Sequence, residues 1–292
     1  MKILVFGSIN IDLTFFVDHL VTPGETIAST GLLKSAGGKG ANQAAALAKA
    51  GLPVYMAGKI GADGEFLLTL LNSYGVNTDQ VIRYEGATGQ AIIQIDKNRQ
   101  NGIFLFGGGN RAVTAEEIHA VIEVFDRGDL IVLQNEISHL GEIMKAAGRR
   151  GLRICFNPSP YTQAVEELPL DLVDLFFVNE IEGAAMASAP AEALPAVLDK
   201  LTGRFPRAEI ILTAGKEGAY YGSGKIREQA AVLDVPVVDT VGAGDTFTGY
   251  FIAARCKNLS VGDAMRAASK AASLAVSRKG AMEAIPLAGE VF

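Results

Sequence analysis

Tryptophan is absent from this chain of 292 residues, cysteine occurs only twice and histidine three times. Cys155 and Cys256 lie far apart and cannot build the disulfide framework that small secreted domains rely on. The scattered His19, His119 and His139 form no His-Glu-x-x-His, and there is no Cys-x-x-Cys, so a zinc site or a Ser-His-Asp triad is poorly supported. No apolar run approaches about 18 residues, so nothing is expected to span a membrane. Ile3-Leu4-Val5-Phe6 is too short for a signal-peptide core, and Asp12 follows soon after. Basic residues are outnumbered, 26 Lys+Arg against 32 Asp+Glu, with a net charge of −6 and no basic stripe, which argues against nucleic acid as a partner. The expectation is a soluble, cytoplasmic protein without membrane contact.

Two phosphate-binding fingerprints are missing as well. Gly38-Lys39 is followed by Gly40 rather than Ser or Thr, so the Walker P-loop fails. The first strand leads into Gly7-Ser8-Ile9-Asn10, so the Gly-x-Gly-x-x-Gly dinucleotide pattern fails.

What the chain has in quantity is apolar residues, 49% of the total, enough for a packed core. Continuous apolar runs at Ile3–Phe6, Val54–Ala57, Leu130–Leu133, Arg153–Phe156, Leu175–Val178 and Ile210–Thr213 read as strands buried on both faces. Helical patterns alternate with them at Ala41–Ala50, Glu65–Tyr74, Ala115–Phe125, Leu140–Arg149 and Ala191–Leu201. Thr114 and Glu117 have capping-box spacing, and Gly51 sits at a helix C′ position. This order predicts βαβ units and a mainly parallel sheet. Two stretches, about 13–33 and 88–109, break the rhythm with β-rich sequence. They read as antiparallel strands added at one end of the sheet, forming either a decorated edge or a lid. The expectation is a single α/β domain over residues 1–292 with a small lid, whose apolar residues point to dimer contacts.

Three clusters carry chemistry. Asp239-Thr240-Val241-Gly242-Ala243-Gly244-Asp245-Thr246-Phe247 precedes an apolar helical run, Phe247–Ala254. Small residues at a helix N-terminus let backbone N–H groups converge on an anion. Asp245 either stabilises the helix start or accepts a proton from an attacking hydroxyl. In Gly37-Gly38-Lys39-Gly40-Ala41-Asn42-Gln43 the glycines permit close backbone approach to a ligand, unless the segment is simply a turn opening a helix. In Gly7-Ser8-Ile9-Asn10-Ile11-Asp12, read as the end of the first strand, Asn10 and Asp12 alternate to one side and suit a polyol, or form a plain polar turn. Asn179 and Glu182, taken alone, read as a helix N-cap with an acid at N3.

With these runs in hand, the chain resembles the PfkB family of sugar kinases from Ile3 to about Pro286. The carriers are Asp-Thr-Val-Gly-Ala-Gly-Asp-Thr-Phe and Gly-Gly-Lys-Gly-Ala-Asn-Gln-Ala. The resemblance implies a Rossmann-like three-layer α/β sandwich, the ribokinase-like fold, with a mainly parallel central sheet and a β lid that serves as a homodimer interface. It implies ATP-dependent phosphorylation of the primary hydroxyl of a ribose-like sugar. Asp245 would be the base, and Gly242, Ala243 and Gly244 the anion hole. Asn10, Asp12, Gly38, Lys39, Asn42 and Glu136 would hold the sugar. Asn179 and Glu182 would order Mg²⁺ and phosphate through water. Thr213, Gly215, Gly218, Gly244 and Ser269 would border the nucleotide. An activating K⁺ would touch Asp239, Val241, Ala275, Arg278 and Gly280. Gln90, Gln94, Phe104 and Phe106 depart from the family's lid pattern and would shift preference toward another small sugar or a nucleoside. A sugar sensor without catalysis is the remaining alternative.

Overall fold

A computed structural model describes residues 1–191 and 193–292. In chain order the strands are β1 (Ile3–Phe6), β2 (Asn10–Phe16), β3 (Gly31–Gly37), β4 (Val54–Ile60), β5 (Val76–Arg83), β6 (Gly89–Ile95), β7 (Asn101–Phe106), β8 (Leu130–Gln134), β9 (Arg153–Asn157), β10 (Leu175–Asn179), β11 (Glu209–Thr213), β12 (Ala219–Ser223) and β13 (Ile226–Ala230). The helices are α1 (Lys39–Lys49), α2 (Glu65–Ser73), α3 (Ala115–Glu123), α4 (Leu140–Arg150), α5 (Glu180–Ala187), α6 (Leu194–Arg204), α7 (Ala243–Cys256), α8 (Val261–Val276) and α9 (Ala288–Val291).

Alternation along the strands sorts the apolar residues into two cores, because successive side chains point to opposite faces of a sheet. Ile3, Val5, Val132, Cys155, Phe177 and Ile211 meet α1, α2, α7 and α8 on one face. Leu4, Phe6, Leu133, Ile154, Phe176 and Leu212 meet α3, α4, α5 and α6 on the other. Burial on both faces is why these strands read as continuous apolar runs. Each fully buried Phe or Leu contributes roughly 1.5–3 kcal/mol. The nine strands run in the order β13-β12-β11-β10-β9-β8-β1-β4-β5, parallel except for the antiparallel β11–β12 and β12–β13 pairs. This is the expected α/β sandwich.

The second sheet corrects the expectation in two ways. Its strands, in the order β3-β2-β6-β7, form a separate four-stranded sheet rather than an extension of the main one. It is also not wholly antiparallel: β2 pairs β6 in parallel, with Asn10 opposite Gly89 and Asp12 opposite Ala91. Asn10 and Asp12 therefore belong to β2 of this sheet and not to the end of β1. The chain turns at Gly7–Ile9, where Gly7 N–H donates to Ala57 O at 3.0 Å and leaves the β1 ladder.

The Thr114–Glu117 capping box and the Gly51 cap, with φ +91°, are present. The helix expected over Ala191–Leu201 lies at Leu194–Arg204, because Pro195 suits a helix start; residue 192 of that expectation falls outside the described residues. Among the described residues no helix is long and apolar enough to cross a membrane.

Candidate active site

Residues singled out in the sequence converge where the parallel strands end. Ligand sites in open α/β sheets lie outside the carboxyl ends of the strands. The loop after β1 carries Ser8, the loop after β8 carries Glu136, and Asn179 and Thr213 close β10 and β11. A cleft of about 200 Å³ lies here, bounded by Lys39, Asn179, Glu182, Thr213 and the first turn of α7.

Asp245 stands in that first turn. The loop before it reaches its geometry through Gly242, which has φ +74° and would be strained with any side chain. First-turn N–H groups have no intrahelical carbonyl to bond. Ala243 N–H reaches Thr240 O at 3.3 Å, whereas Gly244 faces open space, with nothing within 4 Å of where a side chain would begin. The positive end of a 14-residue helix is thus presented to the cleft.

Both carboxylate oxygens of Asp245 are held from α1. Asn42 Nδ2 donates to Oδ2 at 3.0 Å and Gln43 Nε2 donates to Oδ1 at 2.9 Å, across more than 200 residues of sequence. Burial pushes the Asp245 carboxyl above the usual carboxylate range, opposed by Lys39, Asn42 and Gln43 and reinforced by Glu136. Burial alone would lower the Lys39 ammonium from its ordinary value. Asp245, Glu136 and Glu182 outweigh it and raise the Lys39 ammonium above its ordinary value.

Glu136 is a junction rather than the polar end of a strand, since β8 stops at Gln134. Its carboxylate accepts from Ser8 Oγ and, at 3.2 Å, from Lys39 N–H, and lies 3.6 Å from Lys39 Nζ. The glycines of the second cluster make room for protein, not only for ligand. A Cβ on Gly38 or Gly40 would press on the Ser8 backbone, and one on Gly37 would collide with the Asp12 carboxylate. Burial, then repulsion from Glu136, pushes the Asp12 carboxyl up to about 7, with Lys39 pulling it down.

Asn10 Oδ1 accepts from Asn110 Nδ2 at 2.7 Å, and Asn110 Oδ1 accepts from Ile9 N–H at 3.1 Å. Ser8, Gln43, Asn110 and Gln134 are buried polar residues of this region that the sequence did not single out. Ser8 and Gln43 stand inside the glycine-containing clusters and Gln134 follows the apolar run Leu130–Leu133, but nothing local to Asn110 marks it out.

Other candidates are placed less centrally. Asn179 and Glu182 form a reciprocal capping box at 2.8 and 3.1 Å, so the plain helix-start reading holds, and both also line the cleft. Gly215 and Gly218 shape the turn after β11, and Ser269 is buried in α8; none of the three lines the cleft. Asp239 joins two loops by accepting from Val241 N–H and Gly280 N–H at 3.0 and 3.1 Å. Ala275 O accepts from Arg278 N–H, and the Arg278 side chain turns away to Glu290. Gln90, Gln94, Phe104 and Phe106 lie on the sheet face opposite Asn10 and Asp12, because their register partners are odd-numbered residues of β2 or pair with those partners. Gln94 Oε1 accepts from Val21 N–H at 3.1 Å. The lid departures noted in the sequence therefore face away from Asn10 and Asp12, and Gly89, Ala91, Ile93 and Ile95 are the β6 residues on the side of Asn10 and Asp12.

A family model for the pfkB family of carbohydrate kinases matches residues 1–288. The bifunctional ribokinase/ribose-5-phosphate isomerase A of Fructilactobacillus sanfranciscensis is 34% identical over 98% of the chain, which spans 54% of that protein's length. The ribokinase of Staphylococcus aureus is 31% identical over 99% of the chain and 98% of its own length. The structure of Arabidopsis thaliana ribokinase complexed with ribose and ATP superposes with a TM-score of 0.87 at 30% identity, covering 99% of this chain and 97% of that one. The chain belongs to the pfkB family of carbohydrate kinases.

Proposed function

We propose that this protein is an ATP-dependent kinase that phosphorylates the primary hydroxyl of ribose. One observation carries the sugar reading. Among the described residues, the buried side-chain oxygens without a hydrogen-bond partner are Asp12 Oδ1, Asn42 Oδ1, Gln134 Oε1 and Thr246 Oγ1. Leaving such a group unpaired costs about 1–3 kcal/mol. Asp12 feels the charges of Lys39 and Glu136, Asn42 lies one helical turn after Lys39 in α1, and both orphan atoms are acceptors. A polyol supplies hydroxyl donors to both, and the ribokinase relatives favour ribose among polyols.

In this reading the hydroxyl oxygen attacks the γ-phosphorus in line and its proton passes to Asp245. A base raised above the usual carboxylate range is better matched to that transfer. The N–H groups at the start of α7, at Gly242, Ala243 and Gly244, hold the developing charge, with Gly244 the most open of the three. Lys39, kept protonated by its carboxylate neighbours, adds fixed positive charge and ties Glu136 to the sugar subsite with Asn10, Asp12, Gly38 and Asn42. Thr213 and Gly244, which line the cleft, border the nucleotide, and Gly215, Gly218 and Ser269 would border only a part of it that extends beyond the cleft.

Among the described residues no group of three or more His, Cys, Asp or Glu is arranged to hold a bare metal ion. The single carboxylate of Glu182 beside the Asn179 amide in the cleft fits Mg²⁺, which keeps most of its waters and binds through one or two carboxylates plus phosphate oxygens. Asn179 and Glu182 would hold it through water, where it neutralises phosphate charge. The Asp239 loop, with the main-chain oxygens of Val241, Ala275, Arg278 and Gly280, offers oxygen donors only and suits an activating K⁺. The four-stranded sheet acts as a lid on a single kinase domain. Its β7 residues Ile103 to Phe106 are more than half exposed, as is Leu32, and a second copy of the chain covers them. The activity is cytoplasmic, consistent with two cysteines that form no disulfide.

An ADP-release assay with Mg-ATP, with and without K⁺, over ribose, deoxyribose, fructose and nucleosides tests the proposal. Ribose is expected to give the highest kcat/KM. A nucleoside winning would overturn the substrate and leave the Asp245 chemistry standing.

A further inference from the structure

A chain of buried amides runs behind Asp245, away from the cleft. Gln134 Nε2 donates to Gln43 Oε1 at 2.7 Å, and Gln43 Nε2 donates to Asp245 Oδ1 at 2.9 Å. Both glutamines are fully buried. The direction of the chain is fixed by what each group can do. An ionised carboxylate only accepts, so Gln43 must turn its NH₂ toward Asp245 and its carbonyl toward Gln134. Gln134 must then present its NH₂ to Gln43. Its own carbonyl is left pointing at Gly7, without a partner, in space that a Cβ on Gly7 would fill. An orphaned buried oxygen at the far end is the cost of a chain whose polarity suits a charged Asp245.

We propose that Gln43 is a positioning residue for Asp245, and that Gln134 acts through Gln43 by locking its amide orientation. This rests on Asp245 being the proton acceptor. Asn42 holds the second carboxylate oxygen but also faces the sugar side, so Gln43 is the donor devoted to Asp245 alone. The carboxylate keeps one lone pair on each oxygen for the incoming proton, and Gln43 fixes the plane in which those lone pairs lie. The charged groups facing Asp245 are Lys39 from α1 and Glu136 beyond β8, with Glu182 of α5 across the cleft.

The test compares Gln43→Met, Gln134→Met, the double variant and Asp245→Asn, each by kcat and KM for ribose as a function of pH. Methionine conserves the volume of glutamine, and thermal melting confirms folding. Gln43→Met is expected to lower kcat by about 10- to 100-fold, with KM for ribose within about two-fold. Loss of a donor to the ionised form should move the acid limb of the kcat profile up by about one pH unit. Gln134→Met should shift the limb in the same direction by less, and the double variant should be no worse than Gln43→Met. A lowered kcat with an unshifted acid limb, an unchanged kcat, or additive single effects would overturn the inference. Full turnover by Asp245→Asn would instead overturn the reading of Asp245 on which it rests.

Discussion

Gly249 lies directly against Ala46: a Cβ on Gly249 would stand 2.5 Å from the Ala46 Cβ and 2.9 Å from the Leu47 nitrogen. This contact lets α7 and α1 approach closely enough for Asn42 and Gln43 to reach Asp245, one helical turn before Gly249. Gly249→Ala gains about 1 kcal/mol of helix propensity. It overpacks a backbone contact at about 1–3 kcal/mol. The expected result is a lower melting temperature together with a kcat reduced about tenfold or more, as the carboxylate is pulled off its amides. Unchanged melting and turnover would show that the helix crossing does not set the site.

Asp12 gives the site a pH dependence of its own. With its carboxyl pushed up to about 7, it is largely protonated at mildly acidic pH and is there a weaker acceptor for a sugar hydroxyl than the carboxylate. KM for ribose is expected to fall as pH rises from roughly 6 to 8. Stability moves the opposite way. An acid raised on folding binds more protons in the folded state, so its contribution is fully present below the ordinary value near 4 and is lost as pH rises through about 7. Asp12→Asn should flatten both trends, as read by KM and by thermal melting of the sugar-free protein. Identical profiles for the two proteins would refute the assignment.

Residues on the two faces of the small sheet should separate cleanly. Replacing Gln90 or Gln94 by leucine is expected to leave the ribose-to-deoxyribose ratio of kcat/KM within about two-fold, since both lie on the far face. Ala91→Ile, beside Asp12 and buried, should raise KM for ribose. A specificity change from the glutamines alone would contradict the register.

Leu32, Phe104 and Phe106 share that far face and are each more than half exposed. Leu32→Glu with Phe104→Glu is expected to convert a dimer to monomers in sedimentation velocity. A wild-type monomer, or a variant that remains dimeric, would remove the lid interface.

The sequence made the main sheet readable because its strands are buried on both faces and end in Gly-rich or polar turns. It made Asp245, Asn42 and Lys39 readable because glycine runs surround them. It did not reveal that Asn10 and Asp12 start a separate sheet: four apolar residues and a polar turn look the same whichever sheet the next strand joins. Asn110 had no local signal, since its role depends on a contact with Asn10 across 100 residues. Strand β13 carries exposed polar residues such as Arg227 and Glu228, and buried β12, Ala-Tyr-Tyr-Gly-Ser, has no branched aliphatic residue to mark it. The lid glutamines were legible as unusual but not as outward-facing, because facing is a matter of register, and register is set by strand pairing.

The most direct test of the account is Asp245→Asn, measured by kcat with Mg-ATP and ribose and by calorimetric titration with ribose. Asparagine keeps the shape and can still meet Asn42 and Gln43, but it cannot take up the hydroxyl proton. The kcat is expected to fall by roughly 10²–10⁴-fold with ribose affinity nearly unchanged. A variant that turns over at the wild-type rate would contradict it.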